Sequence, residues 1–176
     1  FALVLGENGL VSPLAIYGYT VGGVIEPVTL ADPAIDTLVR EMLNIDPEDT
    51  LYTSDLWNIT ELTFPAEATS FEDLTKMPYL KKLSVEDKTI PSLSFLSGLS
   101  QLEALQLNDC KFSSDEMHMI AALPYLKELT MSGCGLSTIA GLEGAASLTE
   151  LDVSGFDTRN VTSMYRMFCD CSNLSS

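Results

Sequence analysis

Basic side chains are scarce in this chain: 9 lysines and arginines stand against 25 aspartates and glutamates, for a formal charge of -16. No basic stripe is left to follow a phosphate backbone or an anionic lipid surface, which argues against nucleic acid and membrane surfaces as partners. What the imbalance permits is a solvated acidic surface or a cationic partner. Histidine is nearly absent too. His118 is the only one, and its place among Met117, Ile120 and Leu123 makes it a surface residue of a helix, not a general base. No nucleophile elbow, phosphate-cradling glycine loop or HExxH pattern occurs. Carboxylates are plentiful, many of them in turns such as Asp46 to Asp49, but no feature selects a pair for hydrolytic work. We therefore expect no enzyme, no catalytic residue and no cofactor. Uninterrupted apolar runs stay short of the roughly 18 residues that a membrane helix needs. The opening FALVLG has no basic flank and meets Glu7-Asn8-Gly9 at once, unlike a signal peptide. Beginning at Phe1 instead of Met, the chain reads as a mature piece of something longer.

What is present is a repeated phrase. MPYLKKL from Met77 to Leu83 returns as LPYLKEL from Leu123 to Leu129, with a third version, LSQLEAL, between them and a fourth, AASLTEL, ending at Leu151. The unit is 22 to 24 residues long, the period of leucine-rich repeats. Each version runs on through one polar and one apolar residue: Leu83-Ser84-Val85, Leu105-Gln106-Leu107, Leu129-Thr130-Met131, Leu151-Asp152-Val153. A looser copy reads Leu56, Ile59, Leu62, Phe64. The LxxLxxLxL spacing joins an inward-curving turn to a short strand whose apolar residues face a core. With 176 residues, 46% of them apolar, the chain can bury such a core as one domain.

Ahead of the array, residues 1–29 hold short β-branched and aromatic segments separated by Gly-Glu-Asn-Gly and Gly22-Gly23. They read as a small β element, either a cap extension or the tail of an upstream domain. Residues 30–50 read as a helical cap and linker. Asp32 is placed as N-cap, Pro33 opens the helix, and Ile35, Leu38, Val39, Met42 and Leu43 form its apolar face, with Asn44 and Pro47 ending it. Residues 51–154 are the leucine-rich repeats. Ser113-Ser114-Asp115-Glu116 offers a capping box before a true outer helix. The segments after Val85 and after Met131 suit 3₁₀ or irregular turns.

The order DPAIDTLVREML, acidic turn, TSDLWNITELTF resembles the cap and first repeat of internalin-like leucine-rich-repeat surface proteins of bacteria. Asp32, Leu38, Val39, Asp55, Leu56, Ile59 and Leu62 carry the resemblance. Residues 155–176, GFDTRNVTSMYRMFCDCSNLSS, resemble one copy of the longer BspA-like repeat, with Phe156, Val161, Met164, Met167, Phe168, Cys171 and Leu174 at the expected inward positions. The fold expected is an α/β, right-handed leucine-rich-repeat solenoid, with parallel strands on the concave face, a helical cap, and the small β element before it. The sequence stops where a further strand would begin, so we also expect either more repeats downstream or end-to-end self-association through an open edge.

The four cysteines fit the same grammar. Cys110 and Cys134 follow the strands by three residues, where the repeat takes an inward Asn or Cys, and read as buried thiols; neighbouring coils also bring them close to disulfide reach. Cys169 and Cys171 make a CxC without a second pair, too little for zinc. Asn58-Ile59-Thr60, Asn160-Val161-Thr162 and Asn173-Leu174-Ser175 fit the glycosylation pattern, but the repeat already accounts for them.

Stacking places the outward strand residues in columns. The first is Glu61, Lys82, Ala104, Glu128, Glu150; the second Thr63, Ser84, Gln106, Thr130, Asp152; the third Glu86, Asn108, Ser132, Ser154. Together they form the candidate binding face, polar and without the Trp, Tyr and Arg that concentrate at strong interfaces. The resemblance implies a non-enzymatic interaction module of a bacterial surface or secreted protein, with a protein or glycan as ligand. A spacer or sensor ectodomain of a larger receptor-like or adhesin protein is the alternative, because fold alone does not give function.

Overall fold

The computed structural model describes residues 25–136, 138, 140–154, 159 and 168–175. Residues 1–24 of the small β element expected over residues 1–29 lie outside them, as do Phe156, Val161, Met164 and Met167 of the stretch expected to be BspA-like.

Five short strands, β1 (Glu61–Thr63), β2 (Lys82–Glu86), β3 (Ala104–Asn108), β4 (Glu128–Thr130) and β5 (Glu150–Asp152), form one parallel sheet in chain order. Leu62, Leu83, Leu105, Leu129 and Leu151 are register partners along it. Each coil contributes equivalent apolar residues to one continuous core. One inward row, Leu56, Met77, Leu99, Leu123 and Ala145, is buried throughout, and so is the next, Ile59, Leu80, Leu102, Leu126 and Leu148. A fully buried leucine is worth roughly 1.5–3 kcal/mol, so each row holds neighbouring coils together more strongly than any surface contact does. The coils step regularly because the carbonyl just before each strand accepts two N–H groups of the next coil. Lys81 and Lys82 donate to Thr60 at 2.7 and 3.0 Å, and Glu103 and Ala104 donate to Lys81 at 2.7 and 2.9 Å.

The outer side is uneven. 3₁₀ turns occupy Glu72–Lys76, Ser94–Gly98, Ser114–Glu116 and Ala140–Leu142, and one coil adds a short helix, Met117–Ala121. The capping box expected there does not form. Ser113 accepts the N–H of Asp115 at 3.3 Å, while Glu116 reaches the previous coil and accepts the Leu93 N–H at 2.6 Å and the Ser92 hydroxyl at 3.1 Å. The local motif yields because the preceding coil offers a closer pair of donors.

The first helix, α1 (Pro33–Leu43), is capped by Asp32 and ends at Asn44 in the left-handed region, φ 54°. Its apolar face is narrower than its sequence suggests. Ile35 and Val39 are fully buried, Leu38 is only half-buried, and Met42 is 47% exposed. A helix lying across the end of a sheet buries one i, i+4 stripe, and Met42 falls beyond it. After α1 comes a single turn, α2 (Thr53–Leu56), in which Asp55 accepts the Tyr52 N–H at 2.8 Å. The chain before α1 touches this turn through an isolated antiparallel bridge between Pro27 and Tyr52.

Two polar groups fasten the cap to the coils. Asp32 accepts N–H groups from Ala34 in its own helix and from Thr69 and Ser70 in the first coil, at 3.0, 2.7 and 3.0 Å. Asp73 accepts the Asp32 N–H at 2.8 Å and pairs with Lys76 at 2.7 Å. Both carboxylates are buried. Burial by itself raises their pKa values, but the N–H groups of Thr69, Ser70 and Ala34 on Asp32, and those of Asp32 and Ala31 together with Lys76 on Asp73, hold both below the ordinary 3.8. Beneath this joint, Phe64, Phe71 and Phe95 stack at centroid distances of 4.2 and 4.9 Å.

The thiols of Cys110 and Cys134 are buried and free, not joined by a disulfide. Each donates to the last apolar strand residue of the coil before, Cys110 to Val85 at 3.5 Å and Cys134 to Leu107 at 3.0 Å. Cys171 donates instead to the carbonyl of Leu142, in a 3₁₀ turn, at 3.4 Å and, with Leu174, packs against the core. Phe168, expected to point inward, is 48% exposed. It opens a turn through Asp170, whose φ of 61° reverses the chain.

Candidate partner-binding face

The strand register places the expected columns side by side. Glu61, Lys82, Ala104, Glu128 and Glu150 are successive partners, and so are Thr63, Ser84, Gln106, Thr130 and Asp152. In the third column Glu86 pairs with Asn108. From there the ladder continues by hydrogen bonds, from the Asp109 N–H to the Ser132 carbonyl at 2.8 Å and from the Gly133 N–H to Ser154 at 3.2 Å. The face is not flat. Ala104 is 8% exposed, a methyl group sunk between Lys82 and Glu128. Five carboxylates, Glu61, Glu86, Glu128, Glu150 and Asp152, share the columns with one ammonium, Lys82. At the far end the Asp152 carboxyl is held below its usual value by the Ser154 N–H, which donates at 2.7 Å, and the Ser154 hydroxyl lies 3.2 Å from that of Ser132.

Two rims flank the columns. Along the strand starts runs a ladder of alternating charge in which Glu103 lies 3.0 Å from Lys81 and 2.7 Å from Lys127. The Lys127 and Lys81 ammoniums bring the Glu103 carboxyl down to about 2. Reading the repeat for its strand residues alone passes over this ladder, although Lys81, Glu103 and Lys127 occupy one repeat position and alternate in sign. Beside it, Trp57 and Tyr79 meet edge to face at 6.4 Å, with both Tyr79 and Tyr125 exposed.

The other rim, at the strand ends, is a groove of about 1250 Å³ between α1 and the loops after β1, β2 and β3. Thr63 and Glu86 of the columns open into it. The sequence holds a signal for the loop geometry: Asp87, Asp109 and Gly133 occupy one repeat position and have φ of 50°, 52° and 71°. These are residue types that tolerate the left-handed region.

Elsewhere the geometry assembles little chemistry. His118 is exposed, with Nδ1 3.0 Å from the Asp115 carbonyl of its own turn. Glu143, Cys169 and Asp170 bring donor atoms within 4.8 Å of one another, with both carboxylates exposed. The CxC pair is thus split, Cys169 lying with carboxylates and Cys171 against the core. Among the described residues no helix is long and apolar enough to cross a membrane.

A parallel sheet, a coil of 22 to 24 residues and an apolar row at each position define a leucine-rich-repeat solenoid. Solved structures are similar in fold. An internalin, InlF, from Listeria monocytogenes is 20% identical at a TM-score of 0.66, over 81% of this chain and 41% of its own. Listeria monocytogenes InlP is 20% identical at 0.50, over 74% of this chain and 42% of its own. The chain thus spans about two-fifths of the length of each. No family model matches the sequence, and no curated protein does.

Proposed function

We propose that this chain is a non-enzymatic interaction module of a bacterial cell-surface or secreted protein, and that it takes a protein or glycan partner on the concave face of its sheet. The observation that carries the reading is the strand register, which sets polar side chains of successive coils at strand spacing, roughly 4.8 Å, on a backbone held by a continuous core. Positioned side chains lose little freedom on binding, so even a modest set of polar contacts is productive there. The resemblance to internalin-like surface proteins supports the placement outside the cell. A spacer or sensor role is the second reading, and the lack of Trp, Tyr and Arg in the columns favours it.

Capture of a partner from host-surface or matrix material, compared between the native chain and the Glu128→Lys, Glu150→Lys double variant, separates the two. The module reading expects capture to be lost with the circular dichroism spectrum unchanged. Capture that survives the charge reversal supports the spacer.

A further inference from the structure

We infer that the groove between α1 and the strand ends is the subsite for a basic peptide segment of the partner, one that carries an apolar side chain between lysines or arginines. The inference rests on the face reading above and names the chemistry that one end of it would take. Half-buried Leu38 and Pro65, with the buried ring of Phe64, give the groove an apolar floor. Glu41, Glu67, Glu86, Asp87 and Asp109 stand exposed around it, and no lysine or arginine lines it. Among the described residues none of these five carboxylates has a hydrogen-bond or ion-pair partner.

The cations next to Glu41 and Asp87 in sequence are committed elsewhere. Arg40, beside Glu41 in sequence, pairs with Asp36 at 2.8 Å and donates to the carbonyls of Asp46 and Asp49 at 2.9 and 3.0 Å. Lys88, next to Asp87, donates to the carbonyls of Ala66 and Ala68 and lies 5.7 Å from the Phe64 ring centroid. The Lys88 contacts and the phenylalanine stack fix the floor before any ligand arrives, and leave the carboxylates uncompensated. An apolar anchor gains by covering Leu38 and Pro65, while flanking cations meet the rim at a contact that salt weakens. An acidic surface without a floor would attract cations but would not select a side chain between them.

The test is titration of the native chain with the blocked peptide Lys-Leu-Arg-Leu-Lys, its Leu→Gly counterpart and its Lys/Arg→Gln counterpart. The groove variant combines Glu41→Gln, Glu86→Gln and Asp87→Asn, all at exposed positions, with Asn tolerating the φ at 87. We expect saturable binding of the first peptide only, weakened about tenfold or more by the groove variant and within about threefold of native in the Glu128→Lys, Glu150→Lys variant, whose residues do not line the groove. Equal weakening by both variants, equal binding of the Leu→Gly peptide, or saturable binding of calcium chloride in place of the peptide overturns the subsite. If the peptide result holds while partner capture ignores the Glu128 and Glu150 reversal, the groove stands and the wider face reading falls. If no peptide binds while capture is lost on that reversal, the face stands and the groove falls.

Discussion

Leu62 and Leu151 hold the same place in the first and last strands of the sheet, yet Leu62 is 4% exposed and Leu151 half-buried. The difference lies beyond the strand. At the first coil, Leu30 and, from α1, Ile35 and Val39 join the core, and Asp32 and Asp73 tie that helix to residues 69 to 73. Beyond β5 the described residues pack Cys171 and Leu174, both partly buried, against the core, with the Ser175 N–H on the Thr149 carbonyl at 2.9 Å, the Gly144 N–H on the Cys169 carbonyl at 2.9 Å and the Asn173 amide on Ala146 at 2.6 Å. A repeat is therefore as stable as its neighbours make it, and identical leucines differ in worth with position.

The largest expected break in that comparison comes from the core. Leu105→Ala, between two covering coils, should cost about 2–5 kcal/mol, and Leu151→Ala less, about 1 kcal/mol, since its burial is incomplete. Denaturant unfolding of the two variants measures both, and equal losses would mean that the ends are equally supported.

Next comes the joint. Asp32→Ala removes an N-cap and leaves the Thr69 and Ser70 N–H groups without their acceptor, for about 2–3 kcal/mol. The acid limb should follow the same residue. Because Asp32 and Asp73 have folded-state pKa values below 3.8, their stabilisation is complete above that value and is lost as pH falls through the depressed folded values. Stability measured from pH 7 downward should fall below about 4, less steeply in Asp32→Ala than in the native chain.

Thiol reactivity sharpens the contrast at smaller scale. Burial pushes the Cys110 and Cys134 thiols up, so iodoacetamide on the folded chain should label the partly exposed Cys169 first and reach Cys110 and Cys134 only after unfolding, as peptide mass spectrometry would show. Smallest is Glu103→Gln on the rim ladder. Its effect should be confined to pH above about 2, grow toward 4.5, and fade in salt, because exposed ion pairs contribute little.

Much of this was legible in the residues themselves. The LxxLxxLxL spacing predicts both the strands and their register, because only one alignment of Leu83, Leu105, Leu129 and Leu151 keeps every apolar residue inside. Asp32 reads as an N-cap, but its grip on Thr69 and Ser70, 37 and 38 residues away, is a tertiary contact that no local pattern encodes. Glu116 misleads for the same reason, since a capping box competes with a neighbouring coil that the sequence does not place. The groove stays hidden because it belongs to no repeat; it exists only where α1 meets the strand ends. Met42 shows the limit of periodicity, which marks a face but not how wide a stripe the partner surface covers.

Hydrogen exchange of the strand amides, in the native chain and in Asp32→Ala, tests most directly whether the polar face rides on coils made rigid from the capped end. The account predicts slow exchange through β1 to β3 and faster exchange in β5 of the native chain, with Asp32→Ala lowering protection first at Glu61–Thr63. Uniform protection from β1 to β5, unchanged at β1 in the variant, would contradict it.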